Sequence, residues 1–233
     1  MMEQGFEHLQ KEEFTEARRS FEAAVVAKPK NLEARYNLAL LLKKSGHGDL
    51  ELELYEKNMT YGWHLPTVVN LSSLYIADGK KAEAYRLLQR ASKRFRSEAV
   101  PHYLLAELDA AAGNIDAADK WFSKALKADP LNGFAHIRYA RFLAGQKRGK
   151  EALRHADRAT RLLPDCAICL TILGDIQLQE ASYDSAVASY QRSLAIEPLA
   201  ATRQRLIDAL HGLGEHERAE QMQKALDAWK KQR

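Results

Sequence analysis

The sequence has few of the residues that interrupt or cross-link a chain. Its 233 residues include six prolines, twelve glycines and two cysteines, while 46% are hydrophobic and 28% are charged. This composition disfavours disorder and supplies enough apolar side chains for a large buried interior. No segment approaches the ~18 consecutive apolar residues that cross a bilayer, and the N-terminus lacks the basic and then apolar run of a secretory signal. The sequence therefore predicts a cytoplasmic protein.

The chain also lacks a strong charge of either sign. Its 35 basic and 31 acidic residues leave a net charge of +4, and both signs are scattered along the sequence. Nucleic-acid binding usually requires a dense basic patch. A nucleic-acid partner is therefore disfavoured.

The two cysteines form a single Cys-x-x-Cys motif, Cys166 and Cys169. A zinc site needs about four ligands, but the sequence has no second cysteine pair and no histidine pair at ligand spacing nearby. A redox motif of this type normally follows a strand, and none is predicted here. We therefore expect two small, partly buried packing residues where one helical hairpin passes to the next.

Motifs for catalysis are likewise missing. The sequence contains no Gly-rich phosphate loop, no Gly-x-Ser-x-Gly and no His-Glu-x-x-His. The eight histidines are interpreted as isolated residues in different parts of the chain. The sequence predicts no catalytic residue, no cofactor and no metal site, and the protein is expected not to be an enzyme.

What the sequence does contain is a period of 34 residues, marked by Ala84, Ala118, Ala152 and Ala186. Proline repeats at the same step, at 130, 164 and 198. Helical patterning with this period indicates stacked helical hairpins, each too small to bury its own apolar face.

Small residues recur at fixed points of both helices of each hairpin, where a neighbouring helix must approach closely. In the first helix, A, these residues are Gly5, Ala39, Ser72, Ala106, Ala140 and Gly174. In the second helix, B, they are Ala17, Ala84, Ala118, Ala152, Ala186 and Ala219, and large side chains follow four residues later at Phe21, Leu88, Phe122 and Tyr190. A step of four keeps the small and the large residue on one helix face.

These positions resemble the signature of tetratricopeptide-repeat proteins over essentially the whole chain, most closely from Gly113 to Pro198. The resemblance implies an all-α fold, a right-handed α-solenoid of about seven helix–turn–helix units forming a single domain, 1–233. The unit boundaries predicted from the Ala period are 1–31, 32–64, 65–98, 99–132, 133–166, 167–199 and 200–233.

The second unit departs from the pattern. Glu51 and Asn58 occupy positions where small residues are expected, so we predict adjusted packing there. Tyr61 and Trp63 follow, and we expect both to plug the irregular junction rather than form an exposed contact patch.

The family resemblance also implies that the A helices line a concave groove that binds a protein or peptide partner. Residues predicted to contact such a partner share positions on the groove face of these helices: Tyr36, Asn37, Leu40, Asn70, Ser73, Tyr103, Glu107, Arg138, Arg141 and Asp175. The two asparagines suit an extended peptide backbone, and the two arginines suit a carboxylate or phosphate.

The asparagines match positions of the carboxylate clamp with which some family members bind the acidic C-terminal tails of chaperones. The basic partners of that clamp are replaced by Met2, Phe6, Val100 and Leu104. Chaperone-tail binding is therefore disfavoured.

The sequence thus predicts a non-catalytic protein-interaction scaffold that organises a multiprotein assembly. Two alternatives stay open: a substrate-recruiting repeat domain of a larger enzyme, such as a glycosyltransferase, and a structural repeat that self-assembles into homo-oligomers through its chain ends.

Overall fold

Fourteen α-helices make up the described part of the chain, and no strand occurs there. The computed structural model describes residues 1–44, 46 and 48–231, with the side chains of all except 48, 49 and 228–231. The helices form two compact units, Met1–Ala112 and Gly113–Arg233.

The first unit contains three hairpins and the first helix of a fourth: α1 (Met2–Gln10), α2 (Phe14–Ala27), α3 (Leu32–Lys44), α4 (Gly48–Tyr61), α5 (Leu65–Ala77), α6 (Lys81–Arg94) and α7 (Ala99–Ala111). The second unit continues with α8 (Ile115–Ala128), α9 (Gly133–Gly145), α10 (Gly149–Leu162), α11 (Ala167–Gln179), α12 (Tyr183–Ile196), α13 (Ala200–Leu213) and α14 (His216–Lys231). Odd-numbered helices are the predicted A helices, and even-numbered helices are the B helices.

Within each unit, consecutive helices pack against each other, and α11 also contacts the A helices on either side of it, α9 and α13. This nearest-neighbour packing is that of a helical solenoid. The prediction of an α-solenoid of seven hairpins is confirmed, whereas the single domain with the unit boundaries given above stays a prediction.

The small residues of the period lie at the helix contacts. All six predicted alanines of the B helices are fully buried, as are Ala39, Ala106 and Ala140 of the A helices. The large side chains that follow the B-helix alanines are buried too, including Phe21 and Tyr190. A Cβ added at Gly5 would lie 2.6 Å from Cε1 of Phe21, so helix α1 approaches α2 too closely for any larger residue.

Every hairpin turn contains one residue in the left-handed region of φ. Gly46, Gly79, Gly113 and Gly214 adopt this conformation in four turns, and Glu12, Lys147 and Ala181 adopt it in the other three, with φ between 55° and 59°. Only glycine reaches the region without steric cost. The turn geometry is therefore repeated even where the sequence lacks its preferred residue.

In the irregular second hairpin, the two polar residues that replace the expected small residues are both buried. Glu51 is 1% exposed and lies 3.4 Å from Nζ of Lys43, and Asn58 is fully buried. The prediction of adjusted packing is correct. The prediction that Trp63 fills the junction is confirmed, because its side chain is half buried and meets the ring of Phe95 edge-on. The same prediction is wrong for Tyr61, which is 40% exposed and lies under the guanidinium of Arg35.

The cysteine prediction was incomplete, because Cys166 and Cys169 are joined by a disulfide. Cys166 is the N-cap of α11 and Cys169 is the third residue of that helix. One helical turn brings their Cα atoms within 5.2 Å, a separation typical of disulfides. Spacing along a helix, with no strand involved, is enough to bring the two sulfurs together.

Candidate functional site

The predicted partner-binding residues of the first unit include a cluster of aromatic and amide groups. Asn70 of α5 donates a hydrogen bond from Nδ2 to the hydroxyl of Tyr55, at 2.9 Å. Tyr55 is fully buried in α4, and its ring centroid lies 5.9 Å from that of Tyr36. Tyr36 also meets the ring of His64 edge-on. Tyr55 therefore connects two predicted residues, Tyr36 and Asn70, from helices α3 and α5.

Sequence reasoning missed Tyr55, although it follows Glu51 by four residues, the spacing of the other large B-helix side chains. Burial raises the pKa of its phenol well above the ordinary value, so the group is a neutral hydroxyl. It accepts from Asn70, and this bond orients the half-buried amide.

The other predicted residues of α3 and α5 bond to their own helices. Asn37 donates from Nδ2 to the carbonyl of Glu33 at 2.9 Å, and the hydroxyl of Ser73 donates to the carbonyl of Val69 at 3.0 Å. Leu40 is half buried. Among the described residues, no group donates to Oδ1 of Asn37 or Asn70. Each amide thus presents an acceptor from a partly exposed position.

On α7, Tyr103 and Glu107 lie one helical turn apart. Tyr103 is buried, with 8% of its surface exposed, and Glu107 is half buried. Both already interact with other residues of the chain. They provide less accessible surface than Tyr36 and Asn70.

In the second unit, Arg138 and Arg141 lie one turn apart on α9, the former half buried and the latter exposed. Asp175 of α11 accepts a hydrogen bond from the hydroxyl of Tyr190 at 2.8 Å and forms an ion pair with Nε of Arg205 at 2.9 Å. Burial, together with Asp175, keeps the pKa of Tyr190 well above its ordinary value. The carboxylate predicted as an acidic binding group is therefore already paired within the chain.

Two clefts between consecutive B helices were not predicted. The cleft of the first unit lies between α4 and α6 above α5, with a volume of about 410 Å³, and that of the second unit lies between α10 and α12 above α11, with about 440 Å³. Their lining residues are Glu56, Met59, Leu71, Tyr75, Glu83, Arg86, Leu87 and Arg90 in the first, and Asp157, Thr160, Arg161, Leu173, Gln177, Ser185, Ala188, Ser189 and Arg192 in the second.

The clefts occupy the same place in their repeats but differ in chemistry. Met59 and Leu87 of the first cleft correspond to Thr160 and Ser189 of the second when the helices are aligned by their small residues. The two clefts share a leucine on the A helix, Leu71 or Leu173, but the apolar B-helix side chains of the first are replaced by hydroxyl-bearing ones in the second. This difference between the two clefts could have been found in the sequence by comparing equivalent positions of the B helices.

The histidines are not isolated, contrary to prediction. Nδ1 of His136 lies 2.9 Å from Nδ1 of His155 in the α9–α10 hairpin, and His211 lies 3.2 Å from His216 across the α13–α14 turn. Burial lowers the pKa of both members of the first pair, to about 4 for His155. Within the described residues, no three histidine, cysteine or acidic side chains are grouped so that they could hold a metal ion.

The repeat matches the sequence model of a known family. The model of the tetratricopeptide repeat matches residues 2–57, 103–165 and 139–201, more than half of the chain. The chain belongs to the tetratricopeptide repeat family. Such repeats imply a protein–protein interaction scaffold.

A sequence relative and two solved structures are similar to this tetratricopeptide repeat protein. Cleavage stimulation factor subunit 77 of Arabidopsis thaliana is 31% identical over 113 residues, which are 48% of this chain and 15% of the relative. The chain thus spans only a small part of the length of the curated relative that it matches.

The structure of a tetratricopeptide repeat protein from Parabacteroides merdae superimposes with a TM-score of 0.69 at 18% identity, covering 97% of this chain and 91% of the other. A chain of the APC/C hetero-tetramer Cut9–Hcn1 gives a TM-score of 0.72 at 20% identity, covering 88% of this chain and 41% of that chain. At these identities the likeness establishes the fold alone.

None of the described helices is both long and apolar enough to pass through a lipid bilayer.

Proposed function

We propose that this protein is a non-catalytic scaffold that binds an extended segment of a protein partner along its A helices and thereby organises a multiprotein assembly. The observation that carries the proposal is the cluster of Tyr36, Tyr55 and Asn70, in which the buried Tyr55 holds the half-buried amide of Asn70 by a hydrogen bond and lies near the ring of Tyr36.

The cluster suits a peptide because Tyr36 and Asn70 offer two different kinds of contact. A tyrosine ring offers apolar contact area with little rotamer entropy to lose. The acceptor of Asn70 is available to a backbone N–H of an extended chain. Since Asn70 is already held by Tyr55 at 2.9 Å, less of its conformational freedom is lost on binding.

In the second unit, Arg138 and Arg141 form a candidate binding site of their own. They lie one turn apart on α9 and already interact with other residues of the chain, so a carboxylate or phosphate of a partner would add to or replace those interactions. Asp175 contributes less to binding in this proposal, because it is paired with Tyr190 and Arg205.

The comparisons support a role in assembly without specifying the partner. Cut9 was solved in a hetero-tetramer with Hcn1, so a chain of this fold takes part in a multiprotein complex. The proposal that the present protein lacks catalytic activity rests on its family and on the absence of catalytic motifs in the sequence.

The proposal is tested by affinity capture from an extract of the source cells, followed by titration of the captured partner segment. Three variants are compared with the unaltered chain: Tyr36→Ala/Asn70→Ala in the first unit, Arg138→Glu/Arg141→Glu in the second, and Tyr75→Ala as the control. Tyr75 lies on α5 five residues after Asn70 and lines the cleft between B helices. We expect each double variant to weaken binding at least about tenfold and the control to leave it unchanged.

Thermal unfolding of each variant separates lost binding from lost folding. Equal binding by both double variants and the unaltered chain would refute binding along the A helices. Loss of binding in Tyr75→Ala alone would move the surface to the cleft between α4 and α6. Capture of further copies of the same chain, with no other protein, would support the self-assembly alternative instead.

A further inference from the structure

The disulfide Cys166–Cys169 lies at the first turn of α11, where the two sulfurs have different surroundings. Cys169 is fully buried in the helix interior, whereas Cys166 is partly exposed at the N-cap. The backbone N–H of Cys169 donates to Sγ of Cys166 at 3.2 Å. Cys166 is therefore the more accessible of the two residues, and Cys169 is shielded.

The position of Cys166 favours the thiolate after reduction. The first N–H groups of a helix have no intrahelical acceptor, and the helix end carries a partial positive charge. A thiolate at Cys166 would retain the hydrogen bond from Cys169 that its sulfur already accepts. Such placement is what makes a cysteine reactive in thiol exchange.

As a structural cross-link, the disulfide contributes little to the stability of the fold. Disulfides stabilise a fold mainly by closing a loop in the unfolded chain, and the benefit falls as that loop shortens. Here only two residues separate the cysteines, and both already belong to one helical turn. We therefore expect reduction to leave the packing of α11 intact, with Cys166 still acting as its N-cap.

The surface beside the exposed sulfur suits a second molecule. Ile168, which lies between the cysteines, is 61% exposed, and Pro164 and Asp165 just before them are exposed as well. An exposed isoleucine next to a partly exposed disulfide gives an approaching thiol an apolar contact.

We propose that Cys166–Cys169 is a reversible thiol–disulfide exchange site whose substrate class is a dithiol, and that Cys166 forms the mixed disulfide. A thiolate of the dithiol attacks Sγ of Cys166, the Cys166–Cys169 bond breaks, and Cys169 leaves with the electron pair and takes a proton. The second thiol of the substrate, once deprotonated, attacks the substrate sulfur of the mixed disulfide. The bond from that sulfur to Cys166 breaks, and Cys166 leaves with the electron pair and takes the second proton.

The balance is one dithiol oxidised to a disulfide and one protein disulfide reduced to two thiols, with two electrons and two protons transferred. The reverse reaction oxidises the protein at the expense of a substrate disulfide.

The first experiment uses the full chain and dithiothreitol as the probe. The protein is equilibrated at a series of ratios of reduced to oxidised dithiothreitol, quenched with acid, alkylated with N-ethylmaleimide and weighed intact by mass spectrometry. We expect a reversible transition between zero and two labels per chain, with an unchanged circular dichroism spectrum. A pair that is reduced only after unfolding in urea, or one that never reoxidises, would overturn the proposal.

The second experiment tests the difference between the sulfurs. The reduced, unaltered chain is treated with less than one equivalent of iodoacetamide and mapped by peptide mass spectrometry, so no variant has to fold. We expect Cys166 to be labelled at least about tenfold more than Cys169. In Cys169→Ser, the remaining Cys166 should react with a small aromatic disulfide much faster than the remaining Cys169 does in Cys166→Ser. Equal labelling of the two cysteines would refute the assigned role of Cys166.

Discussion

The α3–α5 region of the first unit and the α11–α13 region of the second solve the same packing problem with different chemistry. In each, a buried polar side chain of the B helix bonds to the carbonyl of the first residue of its A helix. Nδ2 of Asn58 donates to the carbonyl of Leu32 at 2.7 Å, and Oγ of Ser193 donates to the carbonyl of Ala167 at 2.8 Å. A threonine at the third position of the next A helix completes each network, Thr67 in one and Thr202 in the other.

The regions differ in what surrounds these polar groups. The fourth residue of α3 is Arg35, which is 1% exposed, donates to Oδ1 of Asn58 and to the carbonyl of Pro29, and lies over the ring of Tyr61. The fourth residue of α11 is Leu170, fully buried. Burial lowers the pKa of Arg35 from its ordinary value, and within the described residues its Nε has no hydrogen-bond partner.

These two hairpins place a polar side chain where Ala24, Ala91, Ala125 and Ala159 stand in four others, and their surroundings set how much the polar contact contributes to stability. A charge buried at the junction depends on each of its partners, because losing one leaves the charge without compensation. The neutral hydroxyls of the second unit make weaker hydrogen bonds than a buried charge does, so the loss of one such bond should lower the free energy of unfolding by less.

Asn58→Ala should have the largest effect. It leaves Arg35 without its amide acceptor and Thr67 without the amide donor, so we expect the free energy of unfolding to fall by about 3–4 kcal/mol. The matched change in the second unit, Ser193→Ala, should cost only about 1 kcal/mol. Urea denaturation measures both changes, and hydrogen exchange locates the first at α3–α5.

A double variant sharpens this test. Arg35→Leu/Asn58→Ser introduces the residue types of the second unit and removes the buried charge together with its partner. It should recover most of the stability lost in Asn58→Ala. Equal losses in the single and the double variant would show that the packing of Asn58, and not its bond to Arg35, is what matters.

Gly174→Ala should have the next largest effect. A Cβ at this position would lie 2.6 Å from Cε1 of Tyr190, because the hydroxyl of Tyr190 bonds to Asp175 and brings the ring over α11. In the first unit the hydroxyl of Tyr55 bonds to Asn70 of the following hairpin, and Ala39 fits beside the ring. We expect a loss of about 2 kcal/mol by urea denaturation.

The reciprocal change, Ala39→Gly, is the control. It removes a buried methyl group and introduces glycine into a helix, so it should destabilise by about 1 kcal/mol. If Gly174→Ala stabilised the protein through its better helix propensity, the tight contact with Tyr190 would not constrain this site.

The histidines should make the second unit sensitive to acid. The pKa of His155 is lowered to about 4 by burial, by His136 and by Arg154, and burial also lowers that of His136. Unfolded histidines bind protons near pH 6.5, so stability is complete above that pH and is lost as the pH falls toward 4. After allowance for solvent screening we expect a loss of about 1 kcal/mol.

Urea denaturation at a series of pH values measures this loss. His155→Leu, which introduces the residue type of the matching Leu54, should flatten the profile between pH 6.5 and 4. Burial also lowers the pKa of His64 in the first unit, but no histidine among the described residues pairs with His64, so His64→Gln should flatten the profile less. An unchanged slope in His155→Leu would contradict the assignment to the His136–His155 pair.

Ala181→Gly should have the smallest effect and the opposite sign. Ala181 occupies the turn between α11 and α12 at φ 55°, where the first unit has Gly79 at φ 76° between α5 and α6. Glycine relieves the left-handed strain but increases the entropy of the unfolded chain, so we expect a net gain of about 0.5 kcal/mol. Gly79→Ala should cost a similar amount, since no atom lies within 4 Å of the added Cβ. A loss in thermal stability for Ala181→Gly would contradict this account.

Much of the fold followed from the sequence because the relevant signals are local and periodic. Ala118 and Phe122 are four residues apart on one helix, and both are buried as predicted. The candidate site was less predictable. Tyr36 and Asn70 could be placed on A helices, but Tyr55, which connects them, lies on a B helix whose small residue is replaced by Glu51.

Two of the errors share a cause. The His136–His155 pair and the exposure of Tyr61 depend on which side chains face each other, whereas the Cys166–Cys169 link follows from spacing within one helical turn. Periodicity gives the face of a helix on which a residue lies, but it does not give the neighbour that the residue meets.

The sequence by itself determined the helical hairpins, the points where they pack closely and the repeat family. The reason is that small residues recurring at a constant step mark the points where neighbouring helices can approach each other closely. Tertiary structure alone decided the polar chemistry at those contacts. Arg35 meets Asn58 across 23 residues, and Thr171 meets Thr202 across 31. Such bonds form only after the hairpins have packed, since a hydrogen bond requires its two atoms to lie within about 3 Å in a suitable direction.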